Sequence, residues 1–398
     1  MSNFNTLDDL GDIKGKVVFI RADLNVPAKD GKVTDTTRID RFVPTLNTLA
    51  DKEAKVIVAS HFGRPDGERK PEFSLAFIVP ELEKASGKKI TFVDDCVGQK
   101  VDEAIANMKN GDILLLENLR FYPGEEKNDP AFAKALAKGV DIYVDDAFST
   151  AHRAHASTAG MANDVPVKAA GRLMQAELEA LDKALGNPVH PVAALVGGSK
   201  VSTKLDLLAN LVKKVDYLLI GGGMAHTFLA AKGIPMGEGS LVELGMIDTA
   251  KNILANAGNC TIVLPTDLVW ANEFGEGQEP HVAAVTDLPA GKPLLDIGPE
   301  STAKFIETLN GCKTLIWNGP VGAFEIKPFD TATNEIARAV AELTKEGKLT
   351  SVAGGGDTVS ALKKAGVKKD LTYVSAAGGA FLEWMEGKEL PGVKVLEK

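Results

Sequence analysis

The sequence predicts an α/β protein of two domains, each built on a parallel β-sheet flanked by helices, with a helix joining the two. Its 398 residues exceed the size at which a single hydrophobic core usually stops growing. Short apolar runs rich in β-branched residues alternate with longer helical patterns, which is typical of βαβ units. The residues that follow these runs change from charged to glycine-rich along the chain, so the two halves are predicted to have different tasks.

The predicted strands are short apolar runs bounded by turn residues. They are Val17–Ile20, Val56–Ala59, Ile113–Leu116 and Ile142–Val144 in the first half, and Val192–Val196, Tyr217–Ile220, Thr261–Leu264, Thr314–Trp317 and Thr372–Ser375 in the second. Helical patterns between them are Pro130–Lys138, Ala176–Leu185, Lys204–Val212, Thr333–Lys345 and Thr358–Lys364. The pattern that ends at Leu185 is followed by Gly186-Asn187-Pro188, which stops a helix. We therefore place the first domain at residues 1–185, ending in this hinge helix, and the second at 186–380.

Composition favours an ordinary globular enzyme and argues against several other classes. Apolar residues make up 44% of the chain and charged residues 25%. No apolar stretch is long enough to cross a bilayer, and the polar start lacks the pattern of a signal peptide. A net charge of -9 makes nucleic acid an improbable general partner. Cys96, Cys260 and Cys312 have no spacing typical of a disulfide framework or a zinc site, so we expect a cytoplasmic protein.

The arginines are concentrated in the first half. Eight of the nine lie within the first 172 residues, whereas lysine is spread along the chain. Arg21, Arg64 and Arg120 lie at or near predicted strand ends, and Arg38 and Arg153 lie in segments predicted to be irregular. Because a guanidinium group binds carboxylate or phosphate through two hydrogen bonds, convergence of these five would suit a small, highly charged acid. For each arginine taken alone, a surface ion pair is the alternative.

Glycines follow the predicted strands of the second half, although the common phosphate-binding signatures are absent. In Gly197–Lys204 the glycines come first, and Lys200 and Lys204 then stand four residues apart where a helix is predicted to open. This spacing would place both ammonium groups on one helix face, beside amides that favour anions. A plain strand-to-helix turn with two solvated lysines is the alternative.

A second glycine segment, Gly354-Gly355-Gly356-Asp357-Thr358, follows the same logic. Its glycines would let a ligand approach the backbone, and Asp357 would either cap the following helix or bind a magnesium ion carried by nucleotide phosphates. Capping is the favoured interpretation when the segment is taken alone. His61, His152 and His155 would bind phosphate, act as acid or base, or cap loops, and the pair His152/His155 is too small for a metal site.

Six separated motifs occur in one order along the chain. They are Arg21-Ala22-Asp23-Leu24-Asn25-Val26-Pro27, Ser60-His61-Phe62-Gly63-Arg64-Pro65, Ala151-His152-Arg153-Ala154-His155-Ala156-Ser157, Gly197 to Lys204, Trp317-Asn318-Gly319-Pro320-Val321-Gly322-Ala323-Phe324-Glu325, and Gly354 to Thr358. Together they resemble the phosphoglycerate kinase family, from about residue 10 to the C-terminus. The resemblance implies two Rossmann-like lobes and a glycolytic reaction: reversible phosphoryl transfer between 1,3-bisphosphoglycerate and ADP, giving 3-phosphoglycerate and ATP with magnesium. It also implies a monomer and a C-terminal tail, residues 381–398, that returns to the first lobe.

The resemblance also implies which residues form each site. The phosphoglycerate would be held by Arg21, Asp23, Asn25, Arg38, His61, Arg64, Arg120 and Arg153. The nucleotide would be held by Lys200, Lys204, Asn318, Pro320, Glu325, Gly355, Gly356, Asp357 and Thr358. Glu325 is then expected near the ribose and Asp357 near the magnesium ion.

The chemistry of this reaction explains why the sequence offers no evident general base. The nucleophile in the reverse direction is a carboxylate, which is already ionised at pH 7. The reaction instead requires stabilisation of charge on the migrating phosphoryl group, which we assign to Arg38, Lys204 and the backbone amides of Gly378 and Gly379. Substrates bound on opposite lobes would require the lobes to close and exclude water.

One segment departs from the pattern of the family. Where the family usually has Ser-Thr-Gly-Gly-Gly-Ala, this chain has Ser375-Ala376-Ala377-Gly378-Gly379-Ala380. The change removes one hydroxyl group and one glycine. The two glycines assigned to catalysis remain.

Two other functions are open to such a chain. A dehydrogenase would bind NAD on one lobe, but the glycine fingerprint of that fold is absent. A nucleotide-binding scaffold would keep the fold without turnover. The presence of Arg38, Lys204 and Asp357 together speaks against the scaffold.

Overall fold

The computed structural model describes residues 4–398, which form two compact units. The first comprises the residues up to Glu179 together with Glu389–Lys398, and the second comprises Ala180–Lys388. Each contains a parallel sheet with buried apolar strands, as expected for a sheet covered by helices on both faces. The predicted fold class, two parallel sheets flanked by helices, is confirmed. Within residues 4–398, no helix combines the length and apolar character that crossing a membrane requires.

The first unit has its parallel sheet in the order β5-β6-β4-β1-β7-β8, beside a small β2–β3 hairpin. The strands are β1 (Val17–Arg21), β2 (Ala28–Lys29), β3 (Lys32–Val33), β4 (Lys55–Ala59), β5 (Thr91–Val93), β6 (Ile113–Leu116), β7 (Ile142–Asp145) and β8 (Val167–Ala170). Strand β4 follows β1 on one side, whereas β8 follows β7 on the other. The winding therefore reverses between β1 and β7, which is where ligands gather in such sheets.

Helices cover this sheet because their apolar residues recur every three or four positions. They are α1 (Thr37–Asp51), α2 (Val79–Ser86), α3 (Gln99–Ala106), α4 (Pro123–Glu126), α5 (Pro130–Ala137) and α6 (Arg172–Leu181). In α1 the buried positions include Ile39, Phe42 and Leu46. These side chains belong to the same core cluster as Val18 of β1 and Val56 of β4.

The second unit repeats this arrangement in the order β11-β10-β9-β15-β16-β17, with the winding reversing between β9 and β15. Its strands are β9 (Val192–Val196), β10 (Tyr217–Ile220), β11 (Thr261–Val263), β12 (Asp267–Trp270), β13 (His281–Ala284), β14 (Leu294–Ile297), β15 (Thr314–Asn318), β16 (Thr350–Ala353) and β17 (Tyr373–Val374). Its helices are α7 (Leu205–Leu211), α8 (Gly223–Ala231), α9 (Ile247–Ala255), α10 (Pro299–Asn310), α11 (Thr331–Lys345), α12 (Gly356–Lys364) and α13 (Gly379–Met385). An antiparallel sheet, β13-β12-β14, was not predicted from the sequence.

Helix α6 runs from the first unit into the second and is capped from a distance. Asp146, which follows β7, accepts hydrogen bonds through Oδ1 from the backbone N–H groups of Leu173 (2.9 Å) and Met174 (3.2 Å). A Cβ at Gly171 would lie 2.1 Å from that oxygen, so only glycine leaves room for the carboxylate. The cap explains why the helix begins at Arg172.

The last residues return to the first unit, where α14 (Pro391–Lys394) packs. The N–H of Gly392 donates to the carbonyl of Ala151 at 2.8 Å. Leu390 and Leu396 are buried on either side of this contact. Helix α13 stays with the second unit, where Asn210 donates through Nδ2 to the carbonyl of Met385 at 2.5 Å.

Candidate functional site

In the first unit, Asp23 anchors Arg38. The Nη1 group of Arg38 lies 2.6 Å from Oδ1 and 2.7 Å from Oδ2 of Asp23, whose side chain is buried just beyond the end of β1. The hydroxyl group of Ser149 donates to Oδ2 of the same carboxylate at 2.5 Å. Because Arg38 remains 38% exposed, its other N–H donors are accessible to a ligand.

Arg21, the last residue of β1, is almost completely buried. Its Nε–H donates to Oγ of Ser157 at 2.8 Å, Nη1 donates to the carbonyl of Ala22, and Nη2 lies 3.2 Å from Nδ1 of His61. A guanidinium group has five N–H donors. These contacts use three of them, which leaves two for a ligand.

The two buried histidines of this unit are neutral at pH 7. Burial lowers the pKa of His61 well below its ordinary value, and the charges of Arg21 and Arg120 lower it further. Burial and the same two arginines lower the pKa of His155 to about 4. Since Arg21 can only donate, Nδ1 of His61 must accept, and the proton of that ring resides on Nε2. His61 therefore offers an uncharged N–H donor, and the arginines carry the positive charge.

Arg120 and Asn25 fix the loop that carries Arg64. Nη1 of Arg120 donates to the carbonyl of Gly63 at 2.9 Å, and Oδ1 of Asn25 accepts the N–H of Gly63 at 3.0 Å. Arg120 is buried, and its Nε forms no hydrogen bond among the described residues, although it lies 3.6 Å from Oε1 of the exposed Glu126. An anion is the partner that such a donor favours.

Arg64 and Arg153 are exposed. Nε of Arg153 lies 3.3 Å from Nε2 of His152. Arg21, Arg38 and Arg120 all depress the pKa of His61, and Arg153 depresses that of His155. Four of the five arginines thus surround the two buried histidines, at the edge of the sheet where the winding reverses.

In the second unit, Lys204 occupies the corresponding reversal. Its Nζ donates to the carbonyl of Gly197 at 2.5 Å, to Oδ1 of Asn318 at 2.7 Å and to the Asn318 carbonyl at 3.2 Å. Gly197 follows β9 and Asn318 ends β15, so the ammonium group lies between the two strand ends. Burial lowers its pKa to about 8, against a smaller opposing effect of Asp357. A desolvated ammonium group next to glycine loops provides a strong site for phosphate.

The two lysines do not share a helix face, so that prediction was wrong. Val201–Thr203 forms a 3₁₀ turn that begins after Lys200. Lys204 is still non-helical, with φ -133°, and α7 starts at Leu205. The 3₁₀ turn places Lys204 inside the site and leaves Lys200 exposed.

The glycine after β9 permits a close approach between two loops. A Cβ at Gly197 would lie 1.9 Å from the carbonyl oxygen of Pro320. No side chain fits there without moving the β15 loop. This close packing gives the carbonyl groups the positions from which they contact Lys204.

Asn318 and Thr358 connect the β15 loop to the glycine segment after β16. Asn318 donates through Nδ2 to the carbonyl of Gly354 at 3.0 Å, and the hydroxyl of Thr358 accepts the N–H of Gly319 at 2.8 Å. Both side chains are buried. They therefore fix the loops around the candidate phosphate site.

Asp357 does not cap α12, so the favoured interpretation from the sequence was wrong. The N-cap is Gly355, with φ 96°, and Asp357 lies in the first turn with its side chain exposed. It forms no ion pair within the part of the chain that the structure describes. This leaves its carboxylate available to a cation.

A cavity of about 460 Å³ joins these loops to an apolar surface. Asp357, Pro320 and Glu325 line it together with Gly198 and Gly222. The apolar part includes Leu241, Leu268, Leu295, Val321 and Phe324. The combination of an apolar surface, glycine loops and a carboxylate suits a base, a ribose and phosphates.

Gly378 and Gly379 lie at the start of α13, which follows β17 at the same edge of the sheet. Both are exposed, and Gly378 has φ 52°. Ser375 donates its N–H to the Ala353 carbonyl at 2.8 Å, which ties this loop to the end of β16. The amides of the two glycines are therefore available at a helix start, where they favour anions.

Comparison with known proteins decides the family. The family model described as phosphoglycerate kinase matches residues 7–388. The chain belongs to the phosphoglycerate kinase family.

Relatives and solved structures agree over the whole chain. The phosphoglycerate kinase of Sinorhizobium fredii is 58% identical over 397 residues, covering 99% of each chain, and that of Agrobacterium fabrum is 58% identical over 398 residues, covering 100% of this chain and 99% of the other. The structure of phosphoglycerate kinase from Coxiella burnetii has a TM-score of 0.92 at 42% identity, covering 99% of this chain and 98% of that one. The enzyme from Pyrococcus horikoshii gives 0.79 at 30% identity, covering 98% of each.

A local hydrogen bond stabilises the segment that departs from the family's glycine motif. The hydroxyl group of Ser375 accepts the N–H of Ala377 at 3.1 Å, and both side chains are buried. Ala376 is exposed, so the hydroxyl that this family usually has there is not needed for packing. The loop thus keeps its turn without that residue.

The residues that support the site were not predicted from the sequence. Ser149 and Ser157 contact Asp23 and Arg21 directly, and Glu125 is buried behind Ser157. Serine and glutamate are common on protein surfaces, and neither follows a predicted strand. Ser157 is the last residue of the sequence motif Ala151–Ser157, but nothing in the sequence indicated that it, Ser149 or Glu125 would contact residues near the end of β1.

Proposed function

We propose that this enzyme of the phosphoglycerate kinase family performs its glycolytic reaction with the two sites described above. A phosphoryl group passes reversibly between 1,3-bisphosphoglycerate and ADP to give 3-phosphoglycerate and ATP. The observation that carries the assignment of the sites is Lys204, a desolvated ammonium group held by three loop oxygens at the reversal of the second sheet. Such a cation is placed to meet phosphate and not to form a surface ion pair.

The first unit binds phosphoglycerate in this proposal. The carboxylate and phosphate groups of the substrate accept hydrogen bonds from the accessible donors of a cluster of residues: Arg21, Asn25, Arg38, His61, Arg64, Arg120 and Arg153. Asp23 acts through Arg38, whose Nη1 group it holds. The two remaining N–H donors of Arg21 support this assignment, since buried donors favour an anionic partner, and so does Nε of Arg120, which forms no hydrogen bond among the described residues and has only the Glu126 carboxylate nearby, at 3.6 Å.

The second unit binds the nucleotide. The phosphates lie at Lys200, Lys204 and the start of α12, from Gly355 to Thr358, beside Asn318 and Pro320, and Glu325 contacts the ribose. Magnesium fits this site as part of the nucleotide complex, because it usually keeps water ligands and takes one or two carboxylates plus phosphates. Asp357 offers one exposed carboxylate, and no group of three or more possible metal ligands occurs in the described residues. When bound, the ion would neutralise phosphate charge.

The protein's contribution to the chemistry is electrostatic. The carboxylate of 3-phosphoglycerate is ionised at pH 7, so no residue needs to remove a proton. Arg38, Lys204 and the amides of Gly378 and Gly379 stabilise the charge on the migrating phosphoryl group. The neutral state of His61 and His155 agrees with roles in binding and not in proton transfer.

Residues on both units take part in this mechanism, so we propose that α6 is a hinge and that the lobes, residues 1–185 and 186–380, close on their substrates. Small-angle scattering should show a smaller radius of gyration with both substrates bound than in the free protein. An unchanged radius would contradict closure.

We also expect a monomer in the cytoplasm, which light scattering and cell fractionation would test.

A coupled assay of ATP-dependent phosphorylation of 3-phosphoglycerate tests the function directly. The natural protein should be active, and Lys204→Ala should lose turnover about 100- to 1000-fold, as expected for removal of one preorganised donor. Nucleotide affinity should change far less. An inactive natural protein would overturn the proposal.

A further inference from the structure

A buried carboxylate lies behind the substrate arginines and has no role in the mechanism above. Glu125, in the short helix α4, is fully buried. Ser157 contacts both of its oxygens: the backbone N–H donates to Oε2 at 3.0 Å, and the hydroxyl group donates to Oε1. One carboxylate therefore holds the backbone and the side chain of one serine.

The hydroxyl group of Ser157 also contacts Arg21. Its oxygen accepts the Nε–H of Arg21 at 2.8 Å. A guanidinium group can only donate and a hydroxyl group has one hydrogen, so that hydrogen must point to Glu125. The direction of every bond in the series Arg21, Ser157, Glu125 is thus fixed.

The buried positive charge of Arg21 indicates a function for the series Arg21, Ser157 and Glu125. Arg21 is almost fully buried and forms no direct ion pair within residues 4–398. Its other protein contacts are the Ala22 carbonyl and the His61 ring, and both are uncharged. A buried cation requires a nearby counter-charge. Two buried carboxyl groups interact with Arg21: Asp145, its register partner on β7, and Glu125, which lies one hydroxyl group away. Burial raises the pKa of Glu125, and Arg21 is the charge that most opposes this rise.

The same serine is the second residue of a turn that follows the buried His155. Ser157 lies in the π-helical turn Ala156–Gly160, immediately after His155. Tyr143 of β7 donates its hydroxyl hydrogen to the Ser157 carbonyl at 2.8 Å. The turn is therefore fixed at its backbone by Glu125 and Tyr143, and at its side chain by Glu125 and Arg21.

We propose that Glu125 is a positioning residue for phosphoglycerate, which acts through Ser157 to hold the Nε edge of Arg21 so that the remaining N–H donors of that arginine meet the substrate. The inference rests on the proposed function of the first unit. It assigns a role to Glu125, which contacts no substrate, in positioning Arg21, which does.

The test is direct binding of 3-phosphoglycerate and, separately, of ATP, measured by calorimetry on the full chain. In Glu125→Gln the side-chain amide accepts through one atom only, so one Ser157 donor loses its partner. Loss of a hydrogen bond to a charged group should raise the dissociation constant for 3-phosphoglycerate about 10- to 100-fold. ATP is bound by the other unit, so its affinity should stay within about twofold.

Two further variants separate positioning from general damage. Ser157→Ala should weaken 3-phosphoglycerate binding to a similar extent. The double variant should bind 3-phosphoglycerate no more weakly than the weaker-binding single variant, since both changes break the same series of hydrogen bonds. Glu103→Gln is the matched control: it is the same change at an exposed position of α3, and it should leave both affinities unchanged. If Glu125→Gln does not fold, Ser157→Ala alone decides the question.

The outcomes distinguish a failure of the proposed function from a failure of the role of Glu125. Natural protein that binds 3-phosphoglycerate, together with variants that bind it equally well, would overturn the role of Glu125 and leave the proposed function intact. Equal loss of ATP affinity in the variants would also overturn it, because a general structural defect would then explain the result. Natural protein that does not bind 3-phosphoglycerate would overturn the proposed function and this inference with it.

Discussion

Replacing Lys204 with methionine should separate catalysis from stability. The change keeps an unbranched side chain of similar length but removes the ammonium group from between Gly197 and Asn318. Burial lowers the pKa of Lys204 from 10.5 to about 8. That shift corresponds to a penalty of about 3 kcal/mol for keeping the ammonium charged in the folded protein at neutral pH.

Two opposite effects set the stability of this variant. Removing the charge relieves the penalty, while the oxygens of Gly197 and Asn318 lose their donor at a cost of about 1–3 kcal/mol. The free energy of unfolding should therefore change little, and the melting temperature should stay within about 4 °C. Turnover should nevertheless fall by about 100-fold or more, because the missing charge acts on the migrating phosphoryl group.

The experiment combines the coupled kinase assay with thermal unfolding of Lys204→Met and the natural protein. A pH series adds a check of sign. The folded-state pKa lies below the unfolded-state value, so the penalty is complete below about pH 8 and is relieved as the pH rises toward 10.5. The natural protein should gain stability across that window relative to the variant. Near-natural turnover in the variant would contradict the catalytic role of Lys204, and a much lower free energy of unfolding would contradict the proposed balance of effects on stability.

Three other changes test other parts of the site. Asp23→Asn should lower kcat/KM for 3-phosphoglycerate about 10- to 100-fold in a steady-state assay with ATP saturating, because Arg38 loses its charged anchor; unchanged kcat/KM would contradict that role. Gly197→Ala should reduce the free energy of unfolding by about 1–3 kcal/mol in a urea titration, while Gly245→Ala, where no atom lies within 4 Å of the new Cβ, should have a much smaller effect. The pKa of His155 is lowered to about 4, so this residue should contribute a loss of about 3 kcal/mol of stability as pH falls from 6.5 to 4, in addition to the losses from His61 and His226; in pH-dependent unfolding, His155→Asn should make that part of the pH profile less steep.

Three strands in the interior of the two sheets were predictable from sequence because nearly all of their residues are apolar and buried. Strands β6, β9 and β10 have the predicted bounds, since each is a continuous apolar run in which every residue except the half-buried Tyr217 is buried. Strand β13 was not found, because its exposed residues alternate with half-buried ones over only four positions. Such a short pattern does not stand out from loops.

The candidate site was predictable where a functional side chain lies at the end of a strand. It was not predictable where the position of a residue depends on a group far away in sequence or on the local type of turn. Arg21 and Asn318 end their strands, so the edge of the sheet gives their positions. The start of α6 depends on Asp146, a side chain 27 residues away from its partner Leu173. The position of Lys204 depends on a 3₁₀ turn, which spacing alone does not distinguish from an α-helix.

The return of the last residues to the first unit affects the order in which the chain can fold. The segment Glu389–Lys398 completes a unit whose other residues end at Glu179. Ala180–Lys388 must be synthesised between them, which takes about 10 to 40 s at typical ribosome speeds. During that time the surface around Ala151 lacks the helix that will pack on it. The first unit is thus translated first and finished last, and the second unit has the opportunity to fold completely in the interval.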